Sequence, residues 1–304
     1  METILEAIGH TPLIQLTRSI PAGSARVFAK LERFNPGGSL KDRIVLRILG
    51  EAEKSGKLKV GGTVVAGTTG NSGIALAYIG NVKKLKVILT MPENFSLERR
   101  RTLECYGADV RLTPAEEGMK GAINRAREIA KETGAFLFAQ FEDPETATAH
   151  ELTTAKEILD AVTGAVDAFV AGVGTSGTIM GVGRVMKSQG AAIIAVEPAA
   201  SPLLSEGKAG PHKIQGIGPG FVPKILDRSL IDEVIQISDG DAFNGAQEIA
   251  RKEGILAGIS CGAAFAASLK VARKLGPGKT VVTVFPDGGE RYFSMRKYFK
   301  REGE

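Results

Sequence analysis

The chain contains no tryptophan, two cysteines and three histidines among its 304 residues. Cys105 and Cys261 are too far apart in sequence for a short zinc-binding motif, and the three histidines add few other ligands. The sequence therefore predicts no metal site. Such sparse use of cysteine is typical of the reducing cytoplasm, which is the location we expect.

An excess of one charge and long apolar runs are also lacking. Lys and Arg number 21 against 17 Asp and Glu in residues 1–145, and 18 against 17 in residues 146–304. This balance predicts no nucleic-acid partner. Because no apolar run reaches the length of about 18 residues that a membrane span needs, and no N-terminal segment resembles a signal peptide, we expect no membrane association.

Short apolar runs alternate with helix-like patterns along most of the chain. The predicted strands are 25–32, 63–66, 87–91, 110–113, 136–139, 168–171, 193–197, 234–237 and 281–285. The main predicted helices are 72–82, 97–106, 120–132, 147–162, 178–188, 242–253 and 264–275. This alternation predicts an α/β fold in which mostly parallel sheets are covered by helices. We expect a smaller domain over residues 1–145 and a larger one over residues 146–304.

Residues 35–43, Asn-Pro-Gly-Gly-Ser-Leu-Lys-Asp-Arg, place a lysine at the start of a predicted helix. Ser39 is a natural N-cap and the helical pattern begins at Arg43, so Lys41 lies in or near the first turn. The helix dipole disfavours a positive charge there, which suits a lysine that forms a Schiff base with a carbonyl cofactor. An ordinary surface lysine, its charge held by Asp42, is the alternative.

Two glycine-rich turns follow predicted strands and precede helices, where α/β folds bind ligands. In residues 68–73, hydroxyls and backbone N–H groups form a nest for a carboxylate or phosphate, unless Asn71 and Ser72 simply cap the next helix. In residues 258–263, Ser260 has the pattern of an N-cap. Neither turn decides a function by itself.

A third turn, Gly172–Gly177, matches the dinucleotide fingerprint G-x-G-x-x-G. Glu197 follows about 20 residues later, where an acidic residue binds a ribose hydroxyl in dinucleotide-binding folds. An NAD-dependent oxidoreductase is therefore one hypothesis. The same loop can instead bind a single phosphate through backbone N–H groups and the hydroxyls of Thr175, Ser176 and Thr178.

Taken together, these motifs resemble the cysteine synthase branch of the fold-type-II pyridoxal-phosphate enzymes. Further matches lie at residues 8–13, 118–122, 140–144, 195–198, 215–218 and 285–292. So many motifs in one order are far more specific than any single turn. The resemblance implies a tryptophan synthase β-like α/β fold of two domains, a segment near 13–34 that crosses to the other domain, and a homodimer.

The resemblance also implies a role for each matching residue. Lys41 would carry pyridoxal 5'-phosphate as a Schiff base and act as the base on the substrate α-proton. Asn71 would contact the pyridine 3-oxygen and Ser260 the pyridine nitrogen, while Glu197 would be structural. The residues implied to bind the cofactor phosphate are Gly174, Thr175, Ser176, Gly177 and Thr178. Those implied to bind the amino-acid carboxylate are Thr68, Thr69, Gly70, Ser72 and Gln140.

The implied reaction is β-replacement on a β-substituted L-alanine. A hydroxyl at the pyridine nitrogen suits β-elimination through an aminoacrylate, and the expected reaction is O-acetyl-L-serine plus sulfide to L-cysteine plus acetate. A cystathionine β-synthase-like reaction, use of O-phosphoserine and release of sulfide from cysteine are the alternatives. Serine acetyltransferase is a further implied partner.

This chain departs from the family pattern at a few positions. Relatives usually carry serine and threonine where this chain has Thr69 and Ser72, and glycine where it has Ser176. Ala155-Lys156 replaces a usual Gly-Pro. Since two of these departures lie in the carboxylate-binding loop, they put the choice of substrate in question.

Overall fold

A computed structural model describes residues 1–68, 70–94 and 97–298, which form two compact units. One unit comprises Met1–Ile8 and Asn35–Glu145 apart from the gaps, and the other comprises Gly9–Phe34 and the described part of the chain from Thr146 onward. Across the described ranges, no helix is both long enough and apolar enough to cross a membrane.

The regular elements alternate along the chain as the sequence predicts. The strands are β1 (Leu13–Leu16), β2 (Arg26–Leu31), β3 (Thr63–Gly67), β4 (Lys86–Pro92), β5 (Asp109–Thr113), β6 (Phe136–Leu137), β7 (Ala168–Gly172), β8 (Ala192–Pro198), β9 (Glu233–Ile237) and β10 (Thr280–Phe285). The α-helices are α1 (Lys41–Lys54), α2 (Asn71–Val82), α3 (Leu97–Cys105), α4 (Gly118–Thr133), α5 (Glu145–Ala149), α6 (Ala155–Ala161), α7 (Gly177–Ser188), α8 (Leu203–Glu206), α9 (Asp239–Glu248) and α10 (Ile259–Leu275).

The unit that contains α1 is built on a parallel sheet with the strand order β5-β4-β3-β6. Helix α4 packs on β3 and β4, and α1 packs on α2. A Cβ on Gly67, at the end of β3, would lie 2.6 Å from Ile123 Cα, so only glycine lets α4 come this close to the sheet. Gly67 is also the last residue of β3 before the segment that leads to α2.

The second unit contains a sheet with the strand order β1-β2-β10-β7-β8-β9; among its described strands, only the pair β1–β2 is antiparallel. Every residue of β10 is buried, as its Thr-Val-Val-Thr-Val-Phe run predicts for a central strand. The buried hydroxyl of Thr283 donates to Val170 O at 2.9 Å, so its polar group is satisfied inside the sheet.

Several observed elements differ from the predicted ones. Strand β1 was not predicted, and β6 ends at Leu137 although the pattern predicts a strand to 139. The helix predicted over 147–162 is divided between α5 and α6 by a π-helical segment, His150–Thr154. A second π-helical segment, Ile249–Glu253, ends the helix predicted over 242–253.

Candidate active site

Lys41 is the first residue of α1, and Leu40 occupies the N-cap position. The prediction that Ser39 is the N-cap is therefore wrong by one residue, although Ser39 Oγ accepts a hydrogen bond from Lys41 N at 3.3 Å. The observed helix begins two residues before Arg43, the predicted start. The residues that disfavour helix are confined to the preceding Pro-Gly-Gly segment, so helical hydrogen bonding can begin soon after it. Lys41 thus lies in the first turn, at the positive end of the helix dipole.

The turn before Lys41 is held by a buried carboxylate. Asp42 is fully buried and its Oδ2 accepts a hydrogen bond from Gly37 N at 2.5 Å. A Cβ on Gly37 would lie 2.7 Å from Tyr78 Cε1, so glycine is required there. Burial, reinforced by the charge of Asp42, raises the pKa of Tyr78 far above its usual range. Tyr78 carries no sequence signal that would have placed it beside Gly37 and Asp42.

The segment predicted to bind the substrate carboxylate, called the carboxylate loop here, lies between β3 and α2, and its described residues are 68 and 70–72. Helix α2 begins at Asn71 with Gly70 at the N-cap, so Ser72 is not a cap. Its hydroxyl instead donates to Gln140 Oε1 at 2.6 Å, and both side chains are buried. Two residues assigned to carboxylate binding, 68 positions apart in sequence, therefore meet in the structure. Thr69 lies outside the described residues, and its role stays a prediction.

Thr68 is fixed at the start of this loop by contacts to its backbone and its methyl group. Its N–H donates to Thr90 O at 3.1 Å. A Cβ on Gly73 would lie 3.2 Å from Thr68 Cγ2, so the first turn of α2 packs closely on the Thr68 side chain. Thr68 therefore contacts both β4 and the first turn of α2.

The phosphate loop, residues 172–178, connects β7 to α7 in the second unit. Its backbone is anchored on both sides, since Val173 N donates to Val196 O at 3.0 Å and Val173 O accepts from Gly218 N at 2.9 Å. A Cβ on Gly174 would clash with Gly216 O, so the glycine is required by close backbone packing. The N–H groups of the first turn of α7, a helix of 12 residues, point toward this loop.

Ser176 holds an unusual backbone conformation in the phosphate loop. Its φ is +72°, in the left-handed region that favours glycine. The side chain is buried, and within the described chain its Oγ has no hydrogen-bond partner. A strained residue with an unsatisfied buried hydroxyl at a helix N-terminus indicates that a ligand supplies the partner.

Ser260 lies near the same loop. Helix α10 begins at Ile259 and Gly258 is its N-cap, so the prediction that Ser260 is a simple N-cap is wrong. Ser260 is buried, and a Cβ on Gly216 would lie 3.6 Å from its Oγ. Because Gly216 also packs against Gly174, the structure brings Ser260 and the phosphate loop to one place. Gly216 lies in the matching segment 215–218, to which the sequence analysis assigned no role.

Cys261, the neighbour of Ser260, is structural. It is fully buried, and its thiol donates to Asp287 O at 3.4 Å. Burial, reinforced by the Asp287 carboxylate, raises the pKa of the Cys261 thiol well above its usual value. Since the thiolate is the reactive form, Cys261 is not a nucleophile.

Glu197 caps a short helix and is not placed to bind a ribose. Its buried carboxylate accepts hydrogen bonds from Leu204 N at 2.7 Å, from Ser205 N at 3.1 Å and from Ser205 Oγ at 2.5 Å. These contacts satisfy the N-terminus of α8. The loop Gly172–Gly177 thus lacks the acidic partner that the NAD-dependent hypothesis requires.

The residues of these loops fit pyridoxal phosphate. A phosphate needs N–H and hydroxyl donors, which the start of α7 and the unpartnered Ser176 Oγ supply. A pyridine nitrogen needs a nearby polar group, and Ser260 Oγ lies beside the same loop. Fold and site together define the class of α/β enzymes that use pyridoxal phosphate.

The comparisons with known proteins agree. A family model described as "Pyridoxal-phosphate dependent enzyme" matches residues 4–287, and the chain belongs to this family, with pyridoxal 5'-phosphate as its cofactor. The chain is 48% identical over 301 residues to a cysteine synthase of Staphylococcus aureus (strain N315), covering 98% of this chain and 97% of that protein. The resemblance predicted from the motifs is confirmed.

Solved structures show the same relationship. The chain is similar to an O-ureido-L-serine synthase, with a TM-score of 0.95 and 39% identity, covering 100% of this chain and 97% of that one. It is also similar to O-acetyl serine sulfhydrylase isoform 3 from Entamoeba histolytica, with a TM-score of 0.94 and 40% identity, covering 100% and 93%. These matches confirm the predicted fold class.

The first testable prediction concerns Ser176. Ser176→Gly should raise the stability of the cofactor-free protein by about 1 kcal/mol, because it removes the left-handed strain, and should weaken pyridoxal phosphate binding. Ser176→Ala keeps the strain but also lacks the hydroxyl, so it should bind the cofactor as weakly and be less stable than Ser176→Gly. Urea denaturation and absorbance titrations measure both effects. Wild-type cofactor affinity in both variants would show that the hydroxyl does not reach the phosphate.

Proposed function

We propose that this protein converts O-acetyl-L-serine and sulfide into L-cysteine and acetate by β-replacement. The observation that carries the proposal is the buried Ser260 hydroxyl beside the phosphate loop. A hydroxyl at the pyridine nitrogen keeps the ring less electron-withdrawing than a carboxylate would, which suits elimination of a β-substituent. The names of the cysteine synthase and O-acetyl serine sulfhydrylase relatives support this donor and this product.

Each side chain has a proposed task. Pyridoxal phosphate, when bound, supplies the electron-withdrawing ring that stabilises negative charge at the substrate α-carbon. Lys41 Nζ would hold the cofactor covalently and take the α-proton, and Asn71 would orient the ring through its 3-oxygen. Ser260 Oγ would contact the ring nitrogen. The residues proposed to hold the phosphate are Gly174, Thr175, Ser176, Gly177 and Thr178.

The carboxylate loop is proposed to bind the amino acid. Helix α2 begins at Asn71, so the N–H groups of its first turn favour a carboxylate. The hydrogen bond from Ser72 Oγ to Gln140 Oε1 turns the Gln140 Nε2 donor away from Ser72. Gln140 is thus proposed to present an N–H donor to the carboxylate, with Thr68, Thr69 and Gly70 completing the set.

A spectrum recorded during substrate addition tests the function. The purified protein should absorb in the visible range, and O-acetylserine should change that absorbance before sulfide restores it with formation of cysteine. Serine, O-phosphoserine and cysteine are added in parallel, with homocysteine as the second nucleophile. A faster absorbance change with one of these compounds would identify it, instead of O-acetylserine, as the amino-acid donor. A colourless protein would contradict the proposal.

A second prediction concerns the contact between Ser72 and Gln140. Ser72→Ala should raise the KM for the amino acid about tenfold, because Gln140 loses the hydrogen bond that orients its amide. The cofactor spectrum should stay unchanged. Ser188→Ala is the control, since that hydroxyl donates to Val185 O in its own helix at 2.8 Å. A fall in kcat with unchanged KM would show that Ser72 does not serve the carboxylate.

The assembly and the location are proposals that rest on the resemblance. We infer a homodimer in the cytoplasm, where the exposed free thiol of Cys105 would stay reduced. We also infer that the C-terminal tail of a serine acetyltransferase binds the active-site cleft. Light scattering measures the molar mass and therefore tests the homodimer. Competition between substrate and peptides that end in isoleucine tests the binding of the acetyltransferase tail.

A further inference from the structure

His150 is a buried histidine that the proposed chemistry does not use. Each of its ring nitrogens lies against a threonine hydroxyl. Nδ1 is 2.9 Å from Thr154 Oγ1, and Nε2 is 3.4 Å from Thr178 Oγ1. His150 and Thr154 are fully buried, whereas Thr178 is half-buried in the first turn of α7. The imidazole therefore links a hydroxyl of the protein core to a hydroxyl of the phosphate loop.

The backbone around His150 allows an unusually close approach to α7. Residues His150–Thr154 form a π-helical segment, a feature often found at functional sites. A Cβ on Gly181 would lie 2.9 Å from His150 Cβ, and Gly177 is packed as tightly one turn earlier. These two glycines let the imidazole reach Thr178.

The two hydrogen bonds of a neutral imidazole must run in one direction, because one ring nitrogen donates and the other accepts. If Thr154 donates to Nδ1, then Nε2–H donates to Thr178 Oγ1, and the Thr178 proton is left for a phosphate oxygen. In the opposite direction Thr178 donates to Nε2 and turns its lone pairs toward the phosphate. Since lone pairs repel an anion, a bound phosphate favours the first direction.

We propose that His150 is a positioning residue. As the Nε2–H tautomer it orients the Thr178 hydroxyl to donate to the cofactor phosphate, and Thr154 selects that tautomer. The inference rests on the proposed contact between Thr178 and the phosphate. A histidine that served packing alone would contribute to stability with no preference for a phosphorylated ligand, and this difference can be measured.

The test compares two ligands on the full chain from which the cofactor has been removed. Pyridoxal lacks the phosphate, so the ratio of its Kd to that of pyridoxal phosphate isolates the phosphate contribution. Thr154→Val should lower this ratio about three- to tenfold, the effect of one ordinary hydrogen bond. Thr153→Val is the matched control and should leave the ratio unchanged, because that hydroxyl donates to Ala149 O at 2.6 Å.

Variants of the histidine itself complete the design. His150→Leu should lower the ratio as Thr154→Val does, and His150→Gln should restore most of it because its amide can still donate to Thr178. If His150→Leu does not fold, the ratio measured for the isosteric variant Thr154→Val tests the proposal by itself. The protein has three histidines, so ring-nitrogen NMR of the holoenzyme can also identify the His150 tautomer, which should be Nε2–H.

Thr178→Val separates this proposal from the function on which it rests. If Thr178→Val lowers the ratio while Thr154→Val and His150→Leu do not, His150 does not position the hydroxyl and the proposal is overturned. If Thr178→Val also leaves the ratio unchanged, the phosphate site is wrongly assigned. The proposed contact of Thr178 with the phosphate and the positioning role of His150 are then both overturned. Equal weakening of both ligands by Thr154→Val and His150→Leu would assign His150 to packing alone.

Discussion

Lys41→Ala should lower turnover by about a thousandfold or more, because it removes both the covalent anchor of the cofactor and the proposed base. The fold should survive, since Lys41 is the first residue of α1 and alanine is the best helix former. Steady-state rates and a thermal melt measure the two effects. Borohydride reduction of the wild-type holoenzyme followed by peptide mapping should label Lys41.

Lys54→Ala is the matched control, because Lys54 ends the same helix. Its ammonium is exposed and bonds to Glu51 Oε1 at 2.8 Å, as is usual for a surface lysine near a helix C-terminus. We expect its activity to match that of the wild type. A borohydride label on any other lysine, or a Lys41→Ala enzyme within tenfold of wild-type activity, would disprove the assignment.

Gly181→Ala should destabilise the protein by about 3 kcal/mol and weaken cofactor retention. The new Cβ would clash with Ala147 O and lie 2.9 Å from His150 Cβ. Backbone at a helix–helix contact cannot move aside as a flexible side chain can. Helix α7 would therefore shift away from His150, and its first turn, which carries Thr178, would shift with it. Urea denaturation measures the stability, and absorbance after dialysis measures the retained cofactor.

Gly50→Ala is the control for Gly181→Ala. It tests whether the loss of stability comes from steric contact of the new Cβ and not from a change in helix propensity. Gly50 also lies inside a helix, but a Cβ there meets nothing within 4 Å. Alanine is the better helix former, so this variant should gain about 0.5–1 kcal/mol. The two substitutions should therefore change stability in opposite directions. A gain in both would refute the close packing of α7.

The sequence was sufficient to predict the central strands and the main helices. The predicted strand 193–197 lies within β8, because an apolar run of this length that is rich in β-branched residues favours a strand over a helix. Strand β1 was missed because it is a four-residue edge strand in which only Leu16 is buried, and its pairing partner follows after a loop. The π-helical segment at His150 was also missed, because it depends on the contact with Gly181.

The sequence alone determined the chemistry: a lysine at a helix start, glycine-rich turns after strands, and the family to which their order belongs. Three contacts were decided only by the tertiary structure. Ser72 bonds to Gln140 instead of capping a helix, Glu197 caps α8, and His150 meets Thr178. The physical reason is the same in each case. Hydroxyls, carboxylates and imidazoles can bond to several partners, and the partner is selected by packing between distant segments, which local patterns do not encode.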